Sequence, residues 1–569
     1  EVDLLAASLR PEGRAELEGN LAPVSQLPVC EVQAELFPGQ ARVEGQLRLT
    51  VRNREQAPWS EVVLRTYPNA QRRTSLRVDS VQVDGKSISA RSHGTVVSVP
   101  AHVAPGQWVV ISLQFHGSLR RLREADADPQ AQVEEMMAQF GPGLAALSGR
   151  PKALDRGYGT FAVSPSGAAL VDWYPQLAAR AHGAWDREEP AAIGDVGHAD
   201  PGSAVVALTV PKGWRVAGAG SALGQHPTDA AHEQATFAAA AIRGALGIAA
   251  SFDYEEVAED MGAVRVRASS VHGHSGAKAL VSCAMSALSS LQKRFGPYPW
   301  ATLTLAEVSL SGGAGGLELP AMALIGQGLA PRAGGPIAPS GLFEFTCYHE
   351  VAHQWWQAVV GSDPNRTPWV DEALAQYSAA LVTEDVAGKA AADQALGTFV
   401  ALNYHGMRLA RLPDAKVARA AGDFHSPLAY AGLIYGKAPL FFQKARELLG
   451  DDGFNQAARA YRQAWAFREA GGSSWLAAAQ RTDPAHGAEI AALQKRWWEE
   501  RHGDEDIPQP DAVGLMGALG GGAGASLSQL LRAMQGDASM DDPQVRDALK
   551  QLERLMPELS RMLQDPQSP

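Results

Sequence analysis

Two histidines four residues apart, His349 and His353, and a glutamate nineteen residues further on, Glu372, constrain this chain more than any other feature. They lie in the stretch CYHEVAHQWWQAVVGSDPNRTPWVDEALAQYS, residues 347–378. On a helix, positions i and i+4 share a face one turn apart, so both imidazoles can reach one ion. Glu350 sits about 100° round the same helix, an offset suited to a group that misses the ion and meets the water bound to it. Ser340 is placed to cap this helix, which the periodicity extends over 340–360. GSDPNR then marks a turn. Thr367-Pro368 opens a second helix over 368–385, with proline at its first position. Two helices joined by so short a turn can bring Glu372 back over the histidine pair.

HExxH is a zinc-peptidase pattern in which the glutamate acts as general base. A catalytic zinc site takes three protein ligands and keeps one position open for water. His349, His353 and Glu372 meet that count, and one Zn2+ per chain is expected. Two neutral imidazoles and one carboxylate leave net positive charge to activate the water. Asp371 is the competing ligand, although negative charge in a first helical turn also supports the helix N-terminus. Trp355, Trp356 and Trp369 are expected to pack around the site and exclude water. Cys347, two residues before His349, is expected to be a buried small hydrophobe.

The 569 residues are too many for one ordinary core, so several domains are expected. With 62 acidic and 50 basic residues, the net charge of −12 argues against non-specific nucleic-acid binding. Cys30, Cys283 and Cys347 show no metal-like spacing, and their odd number excludes full intrachain pairing. No run is long and apolar enough to cross a bilayer. The chain begins EVDLL, without methionine. If an upstream signal or anchor was removed, an exported, periplasmic or membrane-associated location follows; otherwise the cytoplasm stays open.

Residues 1–29 form a lead segment, and 30–249 alternate apolar and polar residues in the manner of strands. VCEVQAELFPGQARVEGQLRLTVRN holds two such runs around PGQ. A β-rich saddle or sandwich is the expected product, interrupted by an inserted helix or loop from Arg120 to Gly149. Over 250–504 a strand–helix–strand start, VRVRASS to ATLTLAEVSL, gives way to helical periodicity at 391–412, 428–448, 451–466 and 484–501. Residues 505–569 are a Gly-rich linker and a helical tail. Its apolar stripe of Val545, Leu549, Leu552, Leu555, Met556 and Leu559 either packs on the body or binds a protein partner.

His349, Glu350, His353 and Glu372, with HQWW and W-x-x-E-x-x-x-x-Y around them, resemble the M1 family of zinc aminopeptidases. These are gluzincins of the aminopeptidase N and leukotriene A4 hydrolase type. Upstream, GGAGGLELPAM resembles the family's exopeptidase signature in a bacterial-type G-G-x-E-x-P form. The resemblance makes Glu318 the residue that binds the substrate α-amino group, with Gly315 and Gly316 beside it. LAYAGLIYGKAPLFF resembles the family's tyrosine segment, which makes Tyr435 the donor to the oxyanion and Tyr430 a weaker candidate. The implied fold is multidomain α+β: an N-terminal β-rich saddle or sandwich, a thermolysin-like zinc peptidase domain and a short helical C-terminal extension. The implied activity is removal of N-terminal residues from peptides with a free N-terminus. Its rivals are a zinc peptidase of endopeptidase or dipeptide-releasing specificity and a non-catalytic binding protein that kept the fold. Leu317, Leu319, Gln357 and Ala373 depart from the family pattern, the last two where glycine is common. The family's second amine-binding residue falls near DWYPQLAAR, residues 172–180, where Trp173 and Tyr174 have an equally good structural reading.

Overall fold

The computed structural model describes residues 2–123, 157–181, 183–271, 274–327, 329 and 341–508. Ser340, residues 124–149 of the expected insertion and the apolar stripe from Val545 to Leu559 lie outside the described residues. The fold is α+β, with β-rich N-terminal sheets followed by a helical region that carries the HExxH motif.

The alternating run after Pro28 forms an antiparallel hairpin of Val29–Phe37 and Arg42–Arg52, with Phe37 opposite Arg42 across the PGQ turn. Its period-2 pattern sends Val32, Ala34, Leu36, Val43, Leu47, Leu49 and Val51 into the core. The first of these strands also pairs in parallel with Pro201–Pro211, so the sheet is closed by residues far apart in sequence. Eight strands make up this sheet, and five- and four-stranded sheets pack against it. Their shared core runs through Leu246 to Met322 and Leu324, so the β-rich part and the following region are packed into one another.

Val264–Val271 and Thr302–Val308 pair in parallel, and the helix His274–Phe295 crosses between them, as VRVRASS and ATLTLAEVSL predict. Met322–Gly326 extends the sheet, and the edge strand Gly316–Leu319 runs antiparallel to it, with Glu318 opposite Ala323. This edge lies against the first motif helix.

That helix is shorter than the periodicity predicts. It covers Leu342–Ala352, after Gly341 in a left-handed conformation, rather than 340–360. Trp355, Trp356, Ala358, Val359 and Val360 continue the apolar pattern but fill the core from a loop. The Val360 amide donates to Trp355 O and the Gln357 amide to Val360 O, which satisfies the backbone without a helix. Trp369–Ala387 forms the second helix, and Pro368 is its cap rather than its first residue. Further on, Gly450 (φ 70°) separates the two helical runs expected at 428–448 and 451–466. The helix Ser474–Thr482 was not predicted.

Candidate metal centre and substrate cleft

The short first helix puts His349 in its last turn and His353 at its end. Their Nε2 atoms face each other at 3.1 Å. From the first turn of the second helix, Glu372 Oε2 comes within 3.3 Å of His349 Nε2 and 3.4 Å of His353 Nε2. All three side chains are buried. His353 Nδ1 lies 2.9 Å from the Trp356 carbonyl oxygen, so it carries the proton and donates, leaving Nε2 as an acceptor. The loop that truncated the helix thus sets the tautomer of a ligand.

The surroundings hold a surplus of acceptors. Glu372 Oε2, Glu350 Oε2 and Asp371 Oδ1 are buried and receive no hydrogen bond. Leaving such atoms unpaired costs on the order of 1–3 kcal/mol each, so converging acceptors of this kind call for a cation. Two imidazole nitrogens and a carboxylate oxygen are a zinc donor set. The His349–His353–Glu372 cluster therefore fits a single zinc ion. Against burial, which would raise it, the adjacent His349 and His353 hold the Glu372 carboxyl well below the usual range.

Glu350 projects beside the cluster, and burial, opposed by His353, pushes its carboxyl up to about 8. A Cβ on Gly316 would stand 2.4 Å from Glu350 Oε1, closer than any real contact. Gly316 therefore leaves the space that the Glu350 carboxylate occupies. The neighbouring Gly315 carbonyl accepts from the Gly326 amide and fastens the edge strand. Gln354, fully buried, clamps that strand to the zinc helix. Its Nε2 donates to Leu319 O (2.9 Å) and Met322 O (3.3 Å), and its Oε1 accepts from the Ala321 amide (2.8 Å). Clamped in this way, Glu318 comes within 4.8 Å of ligating atoms of both His353 and Asp371. Burial and the Asp195 charge push the Glu318 carboxyl up.

Tyr435 lies in a π-helical turn, Ala431–Lys437, a distortion frequent at functional sites. Its hydroxyl donates to Glu372 Oε1 at 2.6 Å. Tyr430 packs on Tyr435, with ring centroids 6.0 Å apart, and its hydroxyl fills the space above Gly194. Trp355 and Trp356 donate to Gly296 O and Ser378 Oγ, and Cys347 is wholly buried. Trp173 donates to Leu246 O, and the Tyr174 hydroxyl accepts from the Leu246 amide. Both are structural.

A cleft opens beside this group, between the β-rich sheets and the zinc helices. Its lining includes Glu318 and Asp371 from one side, and Asp172 and Asp195 from the other. Sequence reasoning missed Asp195. Burial first, then the charges of Glu372 and Asp371, push its carboxyl well up. GDVGHADP carries no periodic signal, and only the tertiary fold delivers this loop to the zinc helices. The stretch DWYPQLAAR does reach the cleft, through Asp172 rather than its aromatic residues. Gln357, at φ 122° where glycine is favoured, lies on the same wall. For a residue with a side chain, that conformation costs roughly 1–2 kcal/mol.

No family model matches the sequence, and no curated protein matches it. Solved structures do match. A point mutant of an M1 zinc metallopeptidase from Deinococcus radiodurans is 19% identical, with a TM-score of 0.59 over 87% of this chain and 99% of that one. A two-domain M1 zinc metallopeptidase mutant bound to L-arginine is 20% identical, with a TM-score of 0.59 over 85% of this chain and 96% of that one. The Deinococcus radiodurans mutant bound to a Tyr-Ser-Ala substrate is 19% identical, with a TM-score of 0.57 over 87% and 99%. The chain thus has the fold of the M1 zinc metallopeptidases, together with a His-Glu-x-x-His and Glu triad suited to zinc.

Proposed function

We propose that this protein is a zinc aminopeptidase, which hydrolyses N-terminal residues from peptides with a free amino terminus. The observation that carries the reading is the carboxylate of Glu318, clamped on an edge strand within 4.8 Å of a ligating nitrogen of His353. A fixed anion at that distance suits a substrate ammonium one residue from the scissile bond. The fold relatives bound to a single amino acid and to a tripeptide are in keeping with so short a reach.

Zinc held by His349, His353 and Glu372 would supply the Lewis acidity that polarises the scissile carbonyl and acidifies a water. Glu350, whose Oε2 has no hydrogen-bond partner, accepts the water proton and returns it to the leaving amine. The Tyr435 hydroxyl, resting on Glu372 Oε1, donates to the carbonyl oxygen as negative charge gathers there. Glu318 holds the amino terminus, and Gly316 keeps the general base in position.

The deciding experiment compares one peptide with free and acetylated N-termini on the zinc-loaded protein. Turnover of the free form alone is expected. Equal turnover of both, or internal cleavage of the blocked form, would overturn the aminopeptidase reading in favour of an endopeptidase.

A further inference from the structure

Two residues after Tyr435, at the end of the same π-helical turn, stands Lys437, a buried cation that takes no part in the proposed chemistry. Its Nζ donates to Asp414 Oδ1 at 2.9 Å and Oδ2 at 3.1 Å. It also donates to the Ala415 carbonyl at 3.3 Å and the Glu500 carbonyl at 2.9 Å. Asp414 in turn accepts from the Gly503 amide at 2.9 Å. One ammonium therefore joins the π turn, the loop at 414–415 and the chain at 500–503. The turn lies directly on the helix Leu402–Leu409. A Cβ on Gly432 would stand 2.5 Å from Met407 Cβ, and one on Gly436 2.6 Å from Tyr404 N. That helix is tied to the same end of the chain, since Tyr404 and Arg408 both donate to Asp504. Residues two apart in a helical turn face nearly opposite sides. Tyr435 accordingly reaches Glu372 on one side while Lys437 reaches Asp414 on the other.

We infer that Lys437 is the positioning residue for the oxyanion donor: its ion pair with Asp414 sets the rotation of the π turn and so the direction of the Tyr435 hydroxyl. The inference rests on the reading of Tyr435 as that donor. Apolar residues of similar volume would hold the three segments as firmly, so what the buried pair adds is a defined direction. Lys437 does not line the cleft, and it bonds to Asp414, Ala415 and Glu500 rather than to the metal ligands. Its effect therefore reaches the reaction through Tyr435. A donor misplaced by about 1 Å costs up to about a hundredfold in rate, and the loss falls on kcat because the oxyanion exists only beyond the ground state.

The test is a double-mutant cycle on the zinc-loaded full chain, with kcat and KM measured on a free-amine peptide. Lys437→Met should lower kcat about ten- to a hundredfold, with KM and zinc content unchanged. In the Tyr435→Phe background the same substitution should have almost no further effect on kcat. Calorimetry of a phosphinic peptide, whose P–O oxygen mimics the oxyanion, should show the same pattern in affinity. Where Lys437→Met does not fold, Lys437→Met with Asp414→Asn, which keeps an acceptor for the Gly503 amide, takes its place. Unchanged kcat and phosphinic-peptide affinity in the Lys437 variant overturn the inference. So does a loss that recurs in full on the Tyr435→Phe background, which would mark a merely structural role. Tyr435→Phe with wild-type kcat and affinity overturns the donor reading itself, and the inference with it. If the wild type turns over no free-amine peptide, the aminopeptidase reading falls and the phosphinic-peptide cycle alone decides for or against Lys437.

Discussion

Among the described residues three groups pass the same geometric test for a metal; one of them, Glu318, His353 and Asp371, shares His353 with the zinc cluster, and the other two are physically unlike. His349, His353 and Glu372 form one; His198, Asp363 and Glu469 form the other. In the first, three ligating atoms face one point, and Glu372 Oε2 has no hydrogen-bond partner. In the second, both ring nitrogens of His198 are taken. Nδ1 lies 3.2 Å from Asp186 Oδ2 and Nε2 lies 2.7 Å from Glu469 Oε2. The Asp186 carboxylate also accepts from Arg65 Nη1 at 3.0 Å. Against burial, which would lower it, Asp186, Glu469 and Asp363 hold the His198 imidazolium up to about 10. With both ring nitrogens held by carboxylates, His198 has no nitrogen free for a metal. The first group is a cradle for a cation, whereas the second already contains its own. It ties the segment after the four-stranded sheet to the region near Gly361, where Glu469 pairs. Proximity of ligand types is therefore a weak criterion beside the occupancy of each donor atom.

The comparison breaks most sharply on metal content. His353→Ala should reduce bound zinc from about one per chain to near zero, while His198→Ala should leave it unchanged, as measured by elemental analysis of purified protein. Zinc retained in the first variant would remove the distinction. Glu350→Gln should keep the zinc and lose about three orders of magnitude in kcat on a free-amine peptide. Tyr435→Phe should lose roughly a hundredfold or more, also with zinc retained. Gly316→Ala pushes a methyl group into the Glu350 carboxylate, and a base displaced by about 1 Å should lower kcat about tenfold to a hundredfold. An unaltered rate would show that the carboxylate has another place to go.

The smallest effect is on stability. The folded pKa of His198 lies above its ordinary value near 6.5. Its contribution is therefore complete below about pH 6.5 and is lost as pH rises towards 10. Wild-type Tm should fall across that window by an amount equivalent to about 2 kcal/mol, after allowance for the half-exposed Glu469 partner. His198→Gln should be less stable at pH 6 and flatter with pH in thermal melts. Parallel melting curves for the two proteins would rule out a charged clamp.

Legibility from sequence followed the range of the interaction. Strand alternation at Val29–Phe37 and the four-residue histidine spacing are local, and local geometry preserved both. The end of the zinc helix was not local. Trp355 to Val360 repeat apolar residues well enough to pass for helix, and only their burial from several sides shows a loop. The edge-strand hairpin was equally invisible, because it depends on one glutamine, Gln354, meeting three backbone groups more than thirty residues upstream. Asp195 and His198 lay in GDVGHADP, which carries no periodic or motif signal, and the marked stretch DWYPQLAAR drew attention to Trp173 and Tyr174 rather than to Asp172.

By itself the sequence determined that His349 and His353 share one face of a helix with Glu350 one step round it, because a 3.6-residue period leaves those side chains nowhere else to point. It also determined that β-rich sheets precede helices, because side-chain alternation specifies which faces are buried. The tertiary structure alone decided which imidazole nitrogen accepts, through the Trp356 carbonyl, and how near Glu318 comes to the histidines, through Gln354. It alone separated a cradle for zinc from a clamp built on a protonated histidine. Those outcomes depend on hydrogen-bond partners supplied from distant parts of the chain, and residue spacing carries no information about them.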